Sequence, residues 1–434
     1  MAALGKEPVM PPRAPAASVR RFQSWRFGLF VHWGLYSAAA RHEWVKYRER
    51  LTDQQYQPYF DHFDADLYDP GAWAELATQA GMRYAVLTTK HHEGFCLWDS
   101  DLTDYKVTRT PHGKDAVGPF IEAFRTAGLG IGLYHSLIDW HHPDFTVDSH
   151  HPQRDDTAAR SADTGRDMGR YADHLNGQVR ELLTRYGGID IMWFDFSYPD
   201  HDIYEQPISD GKGRAAWRSE RLVETVRSLQ PDILLNDRLD LPGSADFTTA
   251  EQYQPAGPVL VDGHPVVWEA CHTLNGSWGY DRDNLDDKPA ELLVRMLVDA
   301  VSKDGNLLLN VGPNARGEID QRAARTLREI GAWMRLHSSA IHDAGPSTYE
   351  APDGCRYTQR GDRLYLHLFT WPMKHVRLPG LAGKVRYARF LADHSEVRRD
   401  EPPADGAGST LTLELPVQRP DVAVPVVELV LHDS

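Results

Sequence analysis

The sequence predicts an α/β fold in which a (β/α)8 TIM-like barrel is followed by a small C-terminal antiparallel β-sandwich. Over residues 21–345, about eight short apolar runs alternate with segments of helical apolar spacing. This alternation is typical of a parallel sheet surrounded by helices. From about residue 346, short β-type runs follow one another between Pro, Gly and Asp turns, which is typical of a sandwich. We therefore predict a barrel domain over residues 21–345 and a sandwich domain over residues 346–434.

Eight barrel strands are predicted, after a Pro- and Ala-rich leader at residues 1–20 that we expect to be disordered. The strands are predicted at residues 27–33, 84–88, 130–134, 189–195, 233–236, 247–249, 266–268 and 306–311. The main alternative is an open, doubly wound sheet. Such a sheet usually has a glycine-rich phosphate turn after its first strand. The segment Trp33-Gly34-Leu35 is not such a turn, so the barrel is favoured.

The predicted helices have recognisable start and stop signals. Asp69-Pro70 supplies a capping residue and a proline at the first helical position, and Gly81 ends this helix. Gly128 and the pair Gly187-Gly188 end two of the later helices in the same way. These later helices are predicted at residues 117–127, 168–185, 215–229, 289–303 and 323–337.

The sandwich is predicted from five β-runs that have no helical spacing between them. Each run is short and is bounded by turn-forming residues, which is typical of antiparallel strands. The runs are at residues 355–359, 364–369, 384–391, 410–415 and 426–431.

Charge and cysteine content limit the partners and the compartment. The formal net charge is −15, which disfavours nucleic acid or an anionic membrane as the main partner. Cys96, Cys271 and Cys355 are odd in number and far apart, so they are not a disulfide framework and fit a reducing compartment. The sequence has no run typical of a signal peptide or of a transmembrane helix. We therefore predict a cytoplasmic protein without a nucleic-acid or membrane partner.

Polar and aromatic side chains collect where the predicted strands end. In a barrel of parallel strands, residues at this end carry out the chemistry. Trp and Tyr rings stack on the apolar faces of sugars, while His, Arg and carboxylate groups hydrogen-bond sugar hydroxyls. The collected residues therefore favour a carbohydrate site: they are His32, His91, His92, Glu93, Tyr134, His135, Trp193, Asp195, Arg238, Glu251 and Glu269.

Asp195 is the most informative of these residues, because it follows an apolar strand directly. A carboxylate there is costly to desolvate, so it either caps the next loop or takes part in catalysis. Glycoside hydrolysis uses two carboxyl groups on opposite sides of the bond that is cleaved. Glu251, at the end of another strand, is the preferred second carboxyl group. Glu269 is its rival and Glu93 is a weaker candidate.

Other hydrolytic mechanisms are less well supported. His91 and His92 are adjacent, and adjacent strand residues point to opposite faces, so they do not form a metal site on a strand. Neither an HxH strand motif nor an HExxH helix motif occurs. The sequence also lacks the G-x-S-x-G turn of serine hydrolases and a recognisable cysteine-nucleophile signature. We therefore predict no metal and no cofactor.

Several motifs resemble those of the α-L-fucosidases of glycoside hydrolase family 29. They follow one another in order between about residues 22 and 340. They are the segments 27–34, 91–98, 132–136, 268–269 with 277–280, and 306–313. The C-terminal sandwich resembles the second domain of this family in position and texture alone.

The resemblance implies a retaining mechanism and a role for each matching residue. Asp195, which follows the family's W-x-D pattern, would be the nucleophile. Glu251, which ends a T-A-E motif, would be the general acid/base, with Glu269 as the alternative. Trp278 would form the pocket wall near the methyl group of the sugar. The other implied sugar contacts are His32, Glu43, Trp44, His91, His92, Trp193 and Arg238, together with Tyr134 and His135, of which the inward-pointing one is left open.

The predicted function is therefore that of an exo-acting retaining glycosidase that releases terminal α-L-fucose from fucosylated glycans or glycosides. One alternative is the same reaction on a fucose-like sugar such as L-galactose. A metal-dependent barrel hydrolase and a non-catalytic sugar-binding protein are lower alternatives. The aglycone preference and the presence of a homo-oligomer stay open.

Overall fold

The structure is a computed structural model that describes residues 13–201, 205–400 and 410–432. Eight parallel strands form one curled sheet. The strands at residues 27–31 and 84–90 consist entirely of buried residues, as expected for strands that are covered on both faces. The strands are β1 Phe27–Val31, β2 Tyr84–Lys90, β3 Gly130–Ser136, β4 Ile191–Asp195, β5 Leu234–Leu235, β6 Thr248–Glu251, β7 Trp268–Thr273 and β8 Gly305–Val311. A separate short hairpin pairs Leu260–Val261 with His264–Pro265.

The spatial order of the strands is β5-β4-β3-β2-β1-β8-β7-β6. The first and last strands of the barrel, β1 and β8, therefore pair with each other, as in a closed barrel. At the remaining gap between β5 and β6, the backbone N–H of Asp246 donates to Leu235 O at 2.8 Å. This arrangement confirms the predicted TIM-like barrel.

Helices surround this sheet, and the longer ones follow the predicted segments. Asp69 caps α5 by accepting a hydrogen bond from the backbone N–H of Ala72 at 3.0 Å, as its position before Pro70 predicts. The helices are α1 Ala16–Trp25, α2 Tyr36–Ala39, α3 Val45–Arg48, α4 Asp53–Asp61, α5 Pro70–Gln79, α6 Val117–Thr126, α7 Thr157–Ser161, α8 Met168–Arg185, α9 Arg214–Trp217, α10 Ser219–Leu229, α11 Ala290–Ser302 and α12 Gln321–His337.

Two expectations differ from the structure. Residues 16–20, assigned to a disordered leader, form the first half of α1, because Phe22 and Trp25 of this helix pack against the Tyr84 ring at 5.5 Å. Residues 1–12 of that leader lie outside the described residues. The seventh strand begins at Trp268 instead of ending there. All six residues of its run Trp-Glu-Ala-Cys-His-Thr are buried. The prediction missed most of this strand because Glu, His and Thr are not typical of a buried strand.

The C-terminal region forms two small antiparallel sheets, which confirms the predicted sandwich. Leu364 and Leu366 of one sheet and Leu411 and Leu413 of the other belong to one core cluster. Two strands, at residues 375–378 and 398–400, were not predicted, because each is short and rich in charged or polar residues. The four-stranded sheet has the order β9-β10-β15-β12 and the other β11-β14-β13, with β9 Cys355–Arg360, β10 Arg363–Leu368, β11 His375–Leu378, β12 Val385–Phe390, β13 Arg398–Asp400, β14 Leu411–Glu414 and β15 Val426–Leu431. Among the helices of the described ranges, none is long and apolar enough to cross a membrane.

We expect Gly28→Ala to destabilise the barrel, because a Cβ at this position of β1 would overlap the Tyr84 ring. Overpacking of this kind costs roughly 1–3 kcal/mol, which would appear as a lower urea midpoint with an unchanged slope. Gly188→Ala is the control, since a Cβ there meets nothing within 4 Å. Equal unfolding midpoints for the two variants would contradict the predicted overlap.

Candidate active site

A cavity at the carboxyl end of the barrel strands brings together most of the residues singled out in the sequence. Its wall combines aromatic rings, histidines and two carboxylates. The lining residues are Phe30, His32, Trp44, His91, His92, Tyr134, Trp193, Asp195, Phe196, Glu251, Cys271 and Trp278. A larger groove between α5 and α12 has no carboxylate among its lining residues, so the smaller cavity is the candidate site for acid–base chemistry.

Asp195 is the last residue of β4, and its carboxylate is held by three neighbouring groups. The Tyr134 hydroxyl donates to Oδ2 at 2.8 Å, and Arg238 Nη1 donates to Oδ1 at 3.4 Å. His92 Nε2 lies 3.8 Å from Oδ2. Burial raises the pKa of Asp195 to about 6, against the positive charge of Arg238, which lowers it. Burial and the Arg238 charge thus act in opposite directions on the pKa of this carboxyl group.

Glu251 ends β6 as Asp195 ends β4, and its side chain is 40% exposed at the cavity. Arg238 Nη2 donates to Glu251 Oε2 at 2.7 Å. One guanidinium thus connects the two carboxylates. It also lies 5.5 Å from the centre of the Trp193 ring. Arg238 therefore contacts both catalytic candidates, although it is not part of the cavity wall.

Both carboxylates are followed by a residue with a positive φ angle, Phe196 at 78° and Gln252 at 58°. Residues other than glycine adopt this left-handed conformation at a cost. In each case it turns the chain away from the strand direction directly after the carboxylate.

Glu269 lies at the second position of β7 and is completely buried. The Tyr84 hydroxyl donates to its Oε2 at 2.5 Å, and Trp193 Nε1 donates to Oε1 at 3.1 Å. Burial raises the pKa of Glu269 to about 7. The side chain is not part of the cavity wall. It lies beneath Trp193, which supports the floor of the cavity.

Stacked rings form one wall of the cavity. The Tyr134 ring stacks on Trp193 with centroids 5.6 Å apart and on His91 at 5.8 Å. On other sides, Trp44 packs against His92 at 5.0 Å, and Trp278 packs against the His32 ring at 5.1 Å. A wall of this kind suits the apolar face of a sugar ring.

The structure resolves which residue of the pair Tyr134-His135 points inward. Tyr134 lines the cavity, whereas His135 Nδ1 lies 3.3 Å from Thr89 Oγ1 on the other face of the sheet. Adjacent strand residues point to opposite faces, so Tyr134 and His135 cannot both line the cavity. This placement corrects the expectation that His135 binds substrate.

Two further carboxyl groups lie behind the wall. Glu43 Oε2 accepts hydrogen bonds from the backbone N–H groups of Trp278 and Gly279 at 3.1 and 2.8 Å, and burial raises its pKa to about 7. Glu93 Oε2 lies 3.5 Å from His91 Nδ1, and burial raises its pKa to about 8. Neither side chain is part of the cavity wall, so Glu43 supports the Trp278 loop from behind.

Three lining residues were not singled out from the sequence: Phe30, Phe196 and Cys271. Strand alternation is a signal for two of them, since Phe30 lies two positions before His32, and Cys271 lies two positions after Glu269. Phe196 has no such signal, because its direction depends on its positive φ angle. Within the described ranges, no group of three or more His, Cys, Asp or Glu side chains could hold a metal ion.

Comparison with known proteins gives a consistent result. A family model described as alpha-L-fucosidase matches residues 9–339. An α-L-fucosidase from Dictyostelium discoideum is 29% identical over 74% of this chain and 70% of its own length. The human tissue α-L-fucosidase is 28% identical over 84% of this chain and 79% of its own length. The solved structure of α-L-fucosidase isoenzyme 1 from Paenibacillus thiaminolyticus is 45% identical, covers 96% of this chain and 99% of its own, and has a TM-score of 0.89.

The family match covers most of the barrel, and the solved relative spans both domains. Together with two carboxylates at strand ends in one cavity, these matches define the class of the protein. The chain therefore belongs to the α-L-fucosidase family, glycoside hydrolase family 29, and it is a retaining glycoside hydrolase.

Proposed function

We propose that this protein releases terminal α-L-fucose from fucosylated oligosaccharides or glycosides, with Asp195 as the nucleophile and Glu251 as the general acid/base. The observation that supports this proposal is the pair of carboxylates, each at a strand end and both in contact with Arg238. The cavity between the Trp and His side chains would hold one terminal sugar, which fits an exo-acting enzyme.

In the proposed first step, Asp195 attacks the anomeric carbon, while Glu251 gives a proton to the departing oxygen of the aglycone. The product is a sugar esterified to Asp195. In the second step, Glu251 removes a proton from water, which attacks the anomeric carbon and releases Asp195. The overall configuration is retained because each step inverts it once.

The surroundings of Asp195 support its role as the nucleophile. The Tyr134 hydroxyl and the Arg238 guanidinium both stabilise its ionised form. The attacking group must be ionised, and both contacts lower the pKa of Asp195 against the effect of burial.

Exposure supports Glu251 over Glu269 as the acid/base. This group must reach the departing aglycone and then a water molecule, and Glu251 is exposed at the cavity. Glu269 is enclosed by Tyr84 and Trp193, which occupy its two oxygens.

The cytoplasmic location is retained as a proposal that rests on three buried, unpaired cysteines. Cysteines of this kind are usual in a reducing compartment. Fractionation of the source cells with an antibody to the chain would test the proposal, and recovery outside the cytoplasm would overturn it.

A homo-oligomer stays a prediction, which sedimentation analysis of the purified protein would test.

We expect Asp195→Gly to lower kcat/KM on an aryl α-L-fucoside by at least about 10³-fold, because the attacking group is lost. Added azide would enter the space left by the side chain and give the β-fucosyl azide. Asp190→Asn, which changes a carboxylate near the start of the same strand, is the control and should retain activity. Near-normal turnover by the glycine variant would contradict the role of Asp195.

We expect Glu251→Ala to slow hydrolysis of a natural fucosyl disaccharide by about 10²–10⁴-fold. The loss on an aryl fucoside with a good leaving group should be smaller, because protonation of that leaving group matters less. Azide should accelerate the second step in this variant and give the α-fucosyl azide. Glu269→Ala is the matched comparison: azide rescue of this variant, without rescue of Glu251→Ala, would reverse the assignment.

We expect kcat/KM to fall about tenfold per pH unit below about pH 6. Protonation of Asp195 removes the nucleophile. The raised pKa of Asp195 therefore sets the pH below which kcat/KM falls. Arg238→Gln removes a charge that lowers this pKa and should move the acid side to higher pH. Arg398→Gln in the sandwich, an exposed arginine near Glu414, is the control. An acid side that moves to lower pH in Arg238→Gln would contradict this electrostatic role.

A further inference from the structure

Two histidines of the cavity, His32 and His92, are each held through ring atom Nδ1 by a buried polar residue beneath them. Asn310 Oδ1 lies 2.7 Å from His32 Nδ1, and Ser136 Oγ lies 2.6 Å from His92 Nδ1. A neutral imidazole has one N–H and one bare nitrogen, so its buried partner decides which nitrogen faces the substrate. Burial lowers the pKa of both histidines well below the usual value, which favours the neutral form of each ring.

The position of the proton on His32 follows from the second contact of Asn310. The side-chain amide of Asn310 donates from Nδ2 to the backbone oxygen of Trp278 at 2.7 Å. A carbonyl oxygen faces an N–H group and not another oxygen, so the remaining amide atom, which faces His32, is the oxygen. His32 Nδ1 must therefore carry the proton, and Nε2 is bare.

The opposite result holds for His92. Ser136 Oγ accepts a hydrogen bond from the backbone N–H of Ile138 at 3.0 Å, and its one O–H proton can be donated to His92 Nδ1, 2.6 Å away. Nδ1 is then the bare nitrogen, and Nε2 carries the proton. This N–H lies on the side of Asp195, with Nε2 3.8 Å from Oδ2, where a bare nitrogen would face the carboxylate with its lone pair.

We propose that Asn310 and Ser136 are positioning residues that hold His32 and His92 in opposite tautomers. His32 then offers the substrate a hydrogen-bond acceptor beside Trp278, and His92 offers a donor beside Asp195. A sugar hydroxyl at His32 must donate its proton, while the group at His92 must accept one. The tautomer pair therefore fixes a direction for hydrogen bonds across the cavity.

The direct test is the nitrogen NMR spectrum of the full-length protein labelled with ¹⁵N-histidine. Long-range ¹H–¹⁵N correlations distinguish protonated from bare ring nitrogens, and the signals lost in His32→Gln and His92→Gln assign the two residues. We expect an Nδ1–H ring for His32 and an Nε2–H ring for His92 at pH 7.5. The same tautomer in both residues, or the reverse pair, would overturn the proposal.

Variants of the two partners add a second readout with matched controls. Asn310→Ala removes the acceptor, so the His32 signals should change towards an Nε2–H ring. Asn306→Ala is the control, because Asn306 lies on the same strand and donates to Phe22 O at 2.8 Å; it should leave the His32 signals in place. Unchanged His32 signals in a folded Asn310→Ala protein would overturn the role of Asn310.

For Ser136, rescue by a conservative variant separates positioning from packing. We expect Ser136→Ala to lower kcat/KM on an aryl α-L-fucoside by about tenfold, and Ser136→Thr to restore most of this loss because it keeps the hydroxyl. Thr89→Val is the control, since it removes a buried hydroxyl near His135, which faces away from the cavity. Equal losses in Ser136→Ala and Thr89→Val would overturn the role of Ser136. This kinetic comparison rests on the proposed function, whereas the NMR test does not, so failures of the two are distinguishable.

Discussion

The contact of Arg238 with two carboxylates is the interaction on which the site depends. Asp195 and Glu251 lie at one cavity, where two negative charges would repel each other strongly. A guanidinium presents separate N–H groups to separate partners, so Arg238 meets one carboxylate with Nη1 and the other with Nη2. The charge of Arg238 favours the ionised form of Asp195, which is the form that the proposed nucleophile requires.

Below the cavity, the barrel interior is a polar and aromatic layer rather than a purely aliphatic core. Glu269 accepts hydrogen bonds from Tyr84 and Trp193, and Trp193 in turn stacks on Tyr134, which donates to Asp195. A buried polar network is favourable when each member has its partner. This layer thus connects the packing of the barrel interior to the position of Asp195, the proposed nucleophile.

The barrel and the sandwich could be predicted from the sequence. Most residues of the cavity could be predicted as well, because the carboxyl ends of barrel strands meet at one face. The prediction failed where side-chain direction depends on contacts distant in sequence. Glu269 was expected at the end of its strand, but it is the second residue of the strand. Its buried carboxyl group accepts hydrogen bonds from Tyr84 and Trp193, and these partners are distant in sequence. His135 was expected as a sugar contact. Adjacent strand residues point to opposite faces of the sheet, so His135 faces away from the cavity that Tyr134 lines. The contact of Arg238 with both carboxylates has no local signal at all.

The left-handed residues after the two carboxylates have a consequence for how such a protein can diversify. Phe196 and Gln252 leave the extended strand conformation directly after Asp195 and Glu251. We expect loops beyond these two positions to tolerate changes in length and sequence more readily than the two positions themselves. Such a scaffold can acquire new aglycone preferences by loop replacement, while its chemistry is inherited unchanged.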